Sequence, residues 1–192
     1  MSPPSDPLDA ALAVARAFDA GNISYAVGGA LAYGVWGIPR ATIDIDINVF
    51  VDDVDLQLVV DALATLGVSV DLQQAQRDST TEGMFVARYG PYRLDLFTPS
   101  IPFSREAERS RVAVTIEGQV VQFLSAAALA VFKLLFFRPK DIVDLERLLE
   151  VQGEKLDASY VRTQLIDMMG DVDPRVTRWD ELVAAWRASP KS

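Results

Sequence analysis

The sequence predicts an α+β fold, with strands concentrated before residue 124 and helices taking over from residue 125. Two observations carry this. Short runs of alternating apolar and polar residues recur through the first part of the chain, whereas the segment after Ser125 keeps apolar residues at helical spacing. The stretch Tyr25–Val51, YAVGGALAYGVWGIPRATIDIDINVFV, reads as a strand, a glycine turn, a short helix and a second strand.

In chain order, residues 2–6 form a loose lead-in, and Pro7–Ala20 carries Leu8, Ala11, Leu12, Val14, Ala15 and Phe18 near helical spacing. Ile23–Val27 is the first strand and Ala30–Trp36 a short helix, which Gly37 and Pro39 stop. A helix starts at Asp52–Asp55, with Asp53 as its N-cap and Leu56, Val59, Val60, Leu63 and Leu66 as its buried stripe. Val68–Leu72 reads as a strand, and Gln73–Glu82, without regular period, as a polar loop. Gly83–Arg88 and Tyr92–Phe97 flank a hairpin turn, Ile101–Ser110 is a short helix or irregular segment, and Val112–Ile116 with Val120–Leu124 make a second hairpin. Ser125 caps the apolar helix Ala126–Phe137; a helix after Pro139 and the amphipathic helices Asp157–Met169 and Pro174–Ala188 follow, before a terminal Pro-Lys-Ser.

One strand carries an anomaly. Asp44 and Asp46 are two residues apart, so in a strand both carboxylates face the same way, together with Asn48, while Ile43, Ile45, Ile47 and Val49 face the other. Two like charges so close repel by about 1 kcal/mol even in a high-dielectric setting, and a solvated acidic edge strand competes with a cation site as the explanation. Upstream, Gly28-Gly29 lacks Cβ atoms and lets backbone amides approach an anion at a helix start. Lys133 is a second anomaly, since a lysine inside an apolar helix either snorkels out or finds an anion.

The 192 residues support a real core, with half of them hydrophobic. The net charge of −9 argues against a broad footprint for duplex nucleic acid, although Arg77, Arg88, Arg93, Arg105, Arg109 and Arg111 offer a local basic cluster. The absence of cysteine excludes disulfides and thiolate chemistry, and the absence of histidine removes the usual neutral-pH base. Any metal is left to carboxylates, which favour Mg²⁺ or Mn²⁺. No secretion signal or bilayer-length apolar run is present, so a cytoplasmic location away from membranes is expected.

The order Gly-Gly, ten residues, then Arg-Ala-Thr-x-Asp-Ile-Asp is carried by Gly28, Gly29, Arg40, Thr42, Asp44 and Asp46. It resembles the opening motif of the nucleotidyltransferase superfamily, and more narrowly is similar to the AbiEii-like and MenT-like toxins of type IV toxin–antitoxin systems. The run F-K-L-L-x-x-R-P-K-D-I-x-D-L, with Lys133, Arg138, Lys140, Asp141 and Asp144, looks like a second segment of these enzymes. The resemblance spans roughly residues 23–149. It departs from many members in having Gly29 where they place a phosphate-binding serine.

The resemblance implies a nucleotidyltransferase-like (polymerase β-like) mixed sheet flanked by helices over 1–124, with a helical subdomain over 125–192 closing the cleft. Asp95, on a neighbouring strand, would complete a metal set with Asp44 and Asp46 for Mg²⁺ or Mn²⁺. Gly28, Gly29, Arg40, Thr42, Lys133, Asp141 and Asp144 would surround the nucleotide, with Lys133 also in the catalytic set; for Asp141 a helix-capping role is the alternative. The implied partners are an NTP, an acceptor hydroxyl on tRNA, protein or a small molecule, and a cognate antitoxin. A catalytically silent nucleotide-binding or partner-binding module of the same fold is the rival reading.

Overall fold

The computed structural model describes residues 4–189; the first residues of the lead-in and the terminal Pro-Lys-Ser lie outside them. The strands are β1 (Tyr25–Val27), β2 (Asp44–Val49), β3 (Met84–Tyr89), β4 (Tyr92–Phe97), β5 (Val112–Ile116) and β6 (Gln119–Phe123). They form one mixed sheet in the order β3-β4-β2-β1-β6-β5. The two hairpins pair antiparallel, as does β1 with β2, while β2 runs parallel to β4 and β1 to β6.

The helices preceding the last strand are α1 (Pro7–Ala20), α2 (Gly29–Trp36), α3 (Leu56–Ala64), α4 (Leu72–Glu82) and α5 (Phe103–Arg109). After it come α6 (Ala126–Phe136), α7 (Pro139–Gln152), α8 (Ala158–Met169) and α9 (Pro174–Ala188). Side-chain caps mark several starts: Asp6 accepts from the Asp9 amide at 2.8 Å and Ser125 from that of Ala128 at 3.1 Å. The chain forms two units, one comprising the described residues up to Leu31 with Arg40–Leu124, the other Ala32–Pro39 with the helices from Ser125 onward.

In the sheet unit, β2 and β4 place Ile45 opposite Leu94 and Ile47 opposite Leu96, all four wholly buried. Each such side chain contributes about 1.5–3 kcal/mol on burial. A one-residue slip would drive the acids between them into the core, so the apolar face fixes the register and with it the acidic face.

Several sequence expectations are corrected. Residues 72–82 are helix α4 and not a polar loop: Asp71 caps it by accepting from the Gln74 amide at 3.0 Å, and Gly83 ends it at φ +72°. Its buried side is only Ala75 and Ser79, too narrow a stripe to read as periodic. Val68–Leu72 makes no strand, although Val68 is buried. Asp53 does not cap α3; it starts a single 3₁₀ turn and accepts from the Ser79 hydroxyl at 2.7 Å. Ile43 precedes β2 and is 72% exposed, not on the apolar face.

In the helical unit, α6 packs against α7 and α8, and α9 against α7 and α8. Trp179 is buried in α9 and donates its indole N–H to the Ala158 carbonyl at 3.0 Å, which satisfies its one donor. No helix among the described residues is long and apolar enough to cross a membrane.

Candidate active site

Registration of three strands builds the candidate site. Asp46 stands directly across from Asp95, and Asp44 across from Arg93. Paired residues on adjacent strands share a face and lie about 5 Å apart. Asp44, Asp46 and Asp95 therefore occupy one face of the sheet, over two neighbouring rungs. On the far side of β2, the Gly28 amide donates to the Asp46 carbonyl at 2.8 Å, which brings the glycine turn into the rung of Asp46 and Asp95.

The turn favours glycine at its second position. Gly29 has φ +52°, and a Cβ there would stand 1.8 Å from Oδ2 of Asp46, so the Asp46 side chain would have to shift. The Asp46 carboxylate thus lies against the first residue of α2. A Cβ on Gly28 would crowd Asn48, the 8% exposed amide on the same face, whose Nδ2 would be 3.1 Å away. A serine at position 29 has no room while Asp46 keeps this position.

Thr42 organises the approach to β2: its hydroxyl donates to the Asp44 carbonyl at 2.9 Å and accepts from the Asp44 amide at 3.2 Å. Arg40, Thr42, Ile43 and Asp44 line a shallow open depression. Thr42 shapes the backbone that delivers the first acid.

Arg93 changes the electrostatics of the face. Its Nε donates to Oδ1 of Asp95 at 2.6 Å, with the guanidinium 46% and the carboxylate 16% exposed. The hydrogen bond to Asp95 and its charge, then the charges of Asp44 and Asp46, hold the Arg93 guanidinium above its already high ordinary pKa. Among the described residues, no three carboxylates are gathered as a ready cation cage. Asp95 is instead engaged by Arg93. In donor chemistry and strand placement the three acids fit a hard divalent cation; the discords are that their carboxylates do not converge as a cage and that Arg93 holds Asp95.

The second motif forms a separate ionic cluster within the helical unit. Lys133, 5% exposed, places Nζ 2.6 Å from Oδ2 of Asp144 and 3.6 Å from Oδ1 of Asp141. Asp141 also accepts from the Arg138 amide at 3.2 Å, in a capping box at the start of α7, and from Arg138 Nε at 2.6 Å. The Lys133 ammonium lies over the Tyr33 ring at 5.2 Å. The anion that a buried lysine requires comes from the chain itself, and the capping alternative for Asp141 is realised.

The arginine cluster is largely neutralised locally. Arg105 donates to Asp52 at 3.0 Å and Arg109 to Glu106 at 2.7 Å, Arg111 lies 3.9 Å from Glu108, and Arg77 donates to Gln74 at 2.7 Å. Arg93 is the member that the structure sets among the acids. Its signal was the R-x-D spacing of Arg93 and Asp95, which puts both on one strand face.

Solved structures resemble this chain throughout. It matches the solution structure of the antibiotic-resistance factor ANT(2'')-Ia with a TM-score of 0.59 at 17% identity, over 95% of this chain and 93% of that one. The crystal structure of ANT(2'')-Ia in complex with adenylyl-2''-tobramycin matches at 0.57 with 19% identity, over 91% and 93%. An antigenic nucleotidyltransferase-like protein from Paracoccidioides brasiliensis matches at 0.51 with 15% identity, over 92% and 94%. No family profile and no curated protein sequence matches the chain. The fold is therefore nucleotidyltransferase-like, a mixed sheet flanked by helices.

Proposed function

We propose that this protein is a nucleotidyltransferase that moves a nucleoside monophosphate from an NTP to an acceptor hydroxyl. The observation that carries the reading is the rung Gly28–Asp46–Asp95, where two carboxylates and a glycine turn meet on a nucleotidyltransferase-like sheet. The acceptor oxygen forms a bond to the α-phosphorus as the bond from that phosphorus to pyrophosphate breaks. Backbone amides at the start of α2 bind the β and γ phosphates, aided by the helix dipole. Asp95 accepts the acceptor's proton, a role that no histidine can take here. Arg40, on the loop that Thr42 shapes, is the nearby cation for phosphate.

Asp44, Asp46 and Asp95 would hold Mg²⁺ or Mn²⁺, which when bound supplies neutralisation of the attacking and leaving oxygens. Lys133, Asp141 and Asp144, singled out by motif for the nucleotide, are assigned instead to bracing α6 against α7, because each already meets an opposite charge. The net charge of −9 and the neutralised arginines favour a small, cationic, hydroxyl-bearing acceptor over tRNA. ANT(2'')-Ia, with its adenylyl-tobramycin complex, offers a precedent for an acceptor of that chemistry. The toxin reading with a cognate antitoxin rests on the sequence motif, and growth arrest on expression is its test.

The test of the activity is transfer from α-labelled NTPs to aminoglycoside, tRNA and protein acceptors. Native protein is expected to label one class and Asp46→Asn none, while melting as a folded protein. The silent-module reading is favoured by one observation, the Arg93–Asp95 pair. It is the conclusion if NTPs stabilise the native chain but no acceptor is labelled.

A further inference from the structure

Three acids and one arginine share two rungs of one sheet face: Asp44 opposite Arg93, and Asp46 opposite Asp95. Along β4, Arg93 turns its Nε onto Oδ1 of Asp95 at 2.6 Å. One Asp95 oxygen is thereby committed to the guanidinium, in the position where the functional reading asks it to ligate a cation. The guanidinium is half exposed, so it has room to leave along its own flexible stem. A second arginine, Arg88 on β3, stands directly across from Arg93 on the same face, one strand farther from the acids.

We propose that Arg93 is a built-in stand-in for the divalent cation: it neutralises the acidic face while the site is empty of metal, and must release Asp95 before metal is held. The inference rests on the functional reading above and adds a regulating residue to it. Two consequences follow from Coulomb's law. Metal and guanidinium compete for the same oxygen, so cation uptake is weaker than three carboxylates would otherwise give. The empty protein avoids the mutual repulsion of those carboxylates, so removing Arg93 lowers its stability in chelator. Once released, the guanidinium remains beside the metal as a donor for an incoming phosphate, to which its planar fork is suited.

The experiment is calorimetric titration of Mn²⁺ into the native chain, Arg93→Gln, Arg93→Lys and Arg88→Gln, with melting in chelator as the companion readout. Arg88→Gln makes the same change in net charge on the same rung without touching Asp95. Arg93→Gln is expected to bind Mn²⁺ roughly 3- to 10-fold more tightly than native, the scale of one partly exposed ion pair. It is also expected to melt earlier in chelator and to regain that loss with Mn²⁺. Arg93→Lys should fall between, and Arg88→Gln should stay within about twofold of native. Native uptake with equal or weaker binding in both Arg93 variants overturns this inference alone. So does equal tightening in Arg88→Gln, which would reduce the effect to net charge. No Mn²⁺ uptake by any chain overturns it together with the metal-dependent reading.

Discussion

The molecule contains two sets of crowded aspartates neutralised by basic side chains, Arg93 in one and Lys133 with Arg138 in the other, and they differ in access to water. On the sheet face, Asp44, Asp46 and Asp95 are served by Arg93, whose side chain is 46% exposed. In the helical unit, Asp141 and Asp144 are served by Lys133, whose side chain is 6% exposed. Burial makes the second arrangement costly to open, because removing one partner strands a charge in low dielectric. Exposure makes the first exchangeable, since water and a competing cation can replace the guanidinium at little cost. Acids of both sets occur in sequence motifs of the same resemblance, Asp44 and Asp46 in one and Asp141 and Asp144 in the other, and the proposed function assigns ligand chemistry to the sheet-face set alone. What the fold packs against a motif acid decides whether it is held as a brace or left open to a ligand.

The largest expected effect breaks the buried set. Lys133→Ala should cost about 3–5 kcal/mol in denaturant unfolding, because Asp141 and Asp144 lose their shared ammonium. Replacing Lys133 by Met together with Asp144 by Leu should recover much of that loss. A cost below about 1 kcal/mol for the single change would mean the cluster is effectively solvated.

Tyr25, on β1, offers a neutral polar group for contrast. It is 2% exposed and donates its hydroxyl to Asp19 at 3.4 Å; burial, then the Asp19 charge, push its pKa up to about 12. The unfolded chain releases this proton near the ordinary value of 10.0, while the folded one retains it. Stability should therefore be constant below that pH and fall between it and about 12, by on the order of 2 kcal/mol. Tyr25→Phe should flatten that alkaline decline, and an unchanged decline would contradict the assignment.

Gly29→Ala is expected to cost about 1–2 kcal/mol, from the positive φ and the displaced Asp46 carboxylate. In the same variant, nucleotide-induced melting shifts should shrink. The smallest effect on stability belongs to Asp46→Asn. Removing a charge from the crowded sheet-face acids should leave the melting temperature unchanged or slightly raised, the opposite of Lys133→Ala.

The acidic face was legible from residues 44–49, because the period of two in Asp-Ile-Asp-Ile-Asn-Val assigns each side chain to a face, while Ile43 just before the strand escapes the pattern. The hairpins were legible for the same reason and most helices of the second half from their 3.6-residue period, and the expected strand Val112–Ile116 matches β5 residue for residue. Helix α4 escaped because only Ala75 and Ser79 touch the core, so no apolar period exists to detect. Which strand lies beside β2 is a long-range choice that no local pattern encodes; the place of Asp95 beside Asp46 came only through resemblance to known enzymes. Lys133 announced that it needed an anion, but its partner lay eleven residues away on the next helix. Arg93 was hidden among other arginines, three of which the structure pairs with acids elsewhere, Arg105 with Asp52, Arg109 with Glu106 and Arg111 with Glu108.

The most direct test is calorimetric titration of Mn²⁺, in the presence of a non-hydrolysable NTP, into the native protein and Asp46→Asn. The expected result is saturable uptake by the native chain and a loss of at least about tenfold in affinity in the variant. Equal uptake by both chains, or none by the native protein, would contradict a nucleotidyltransferase centre on this face of the sheet.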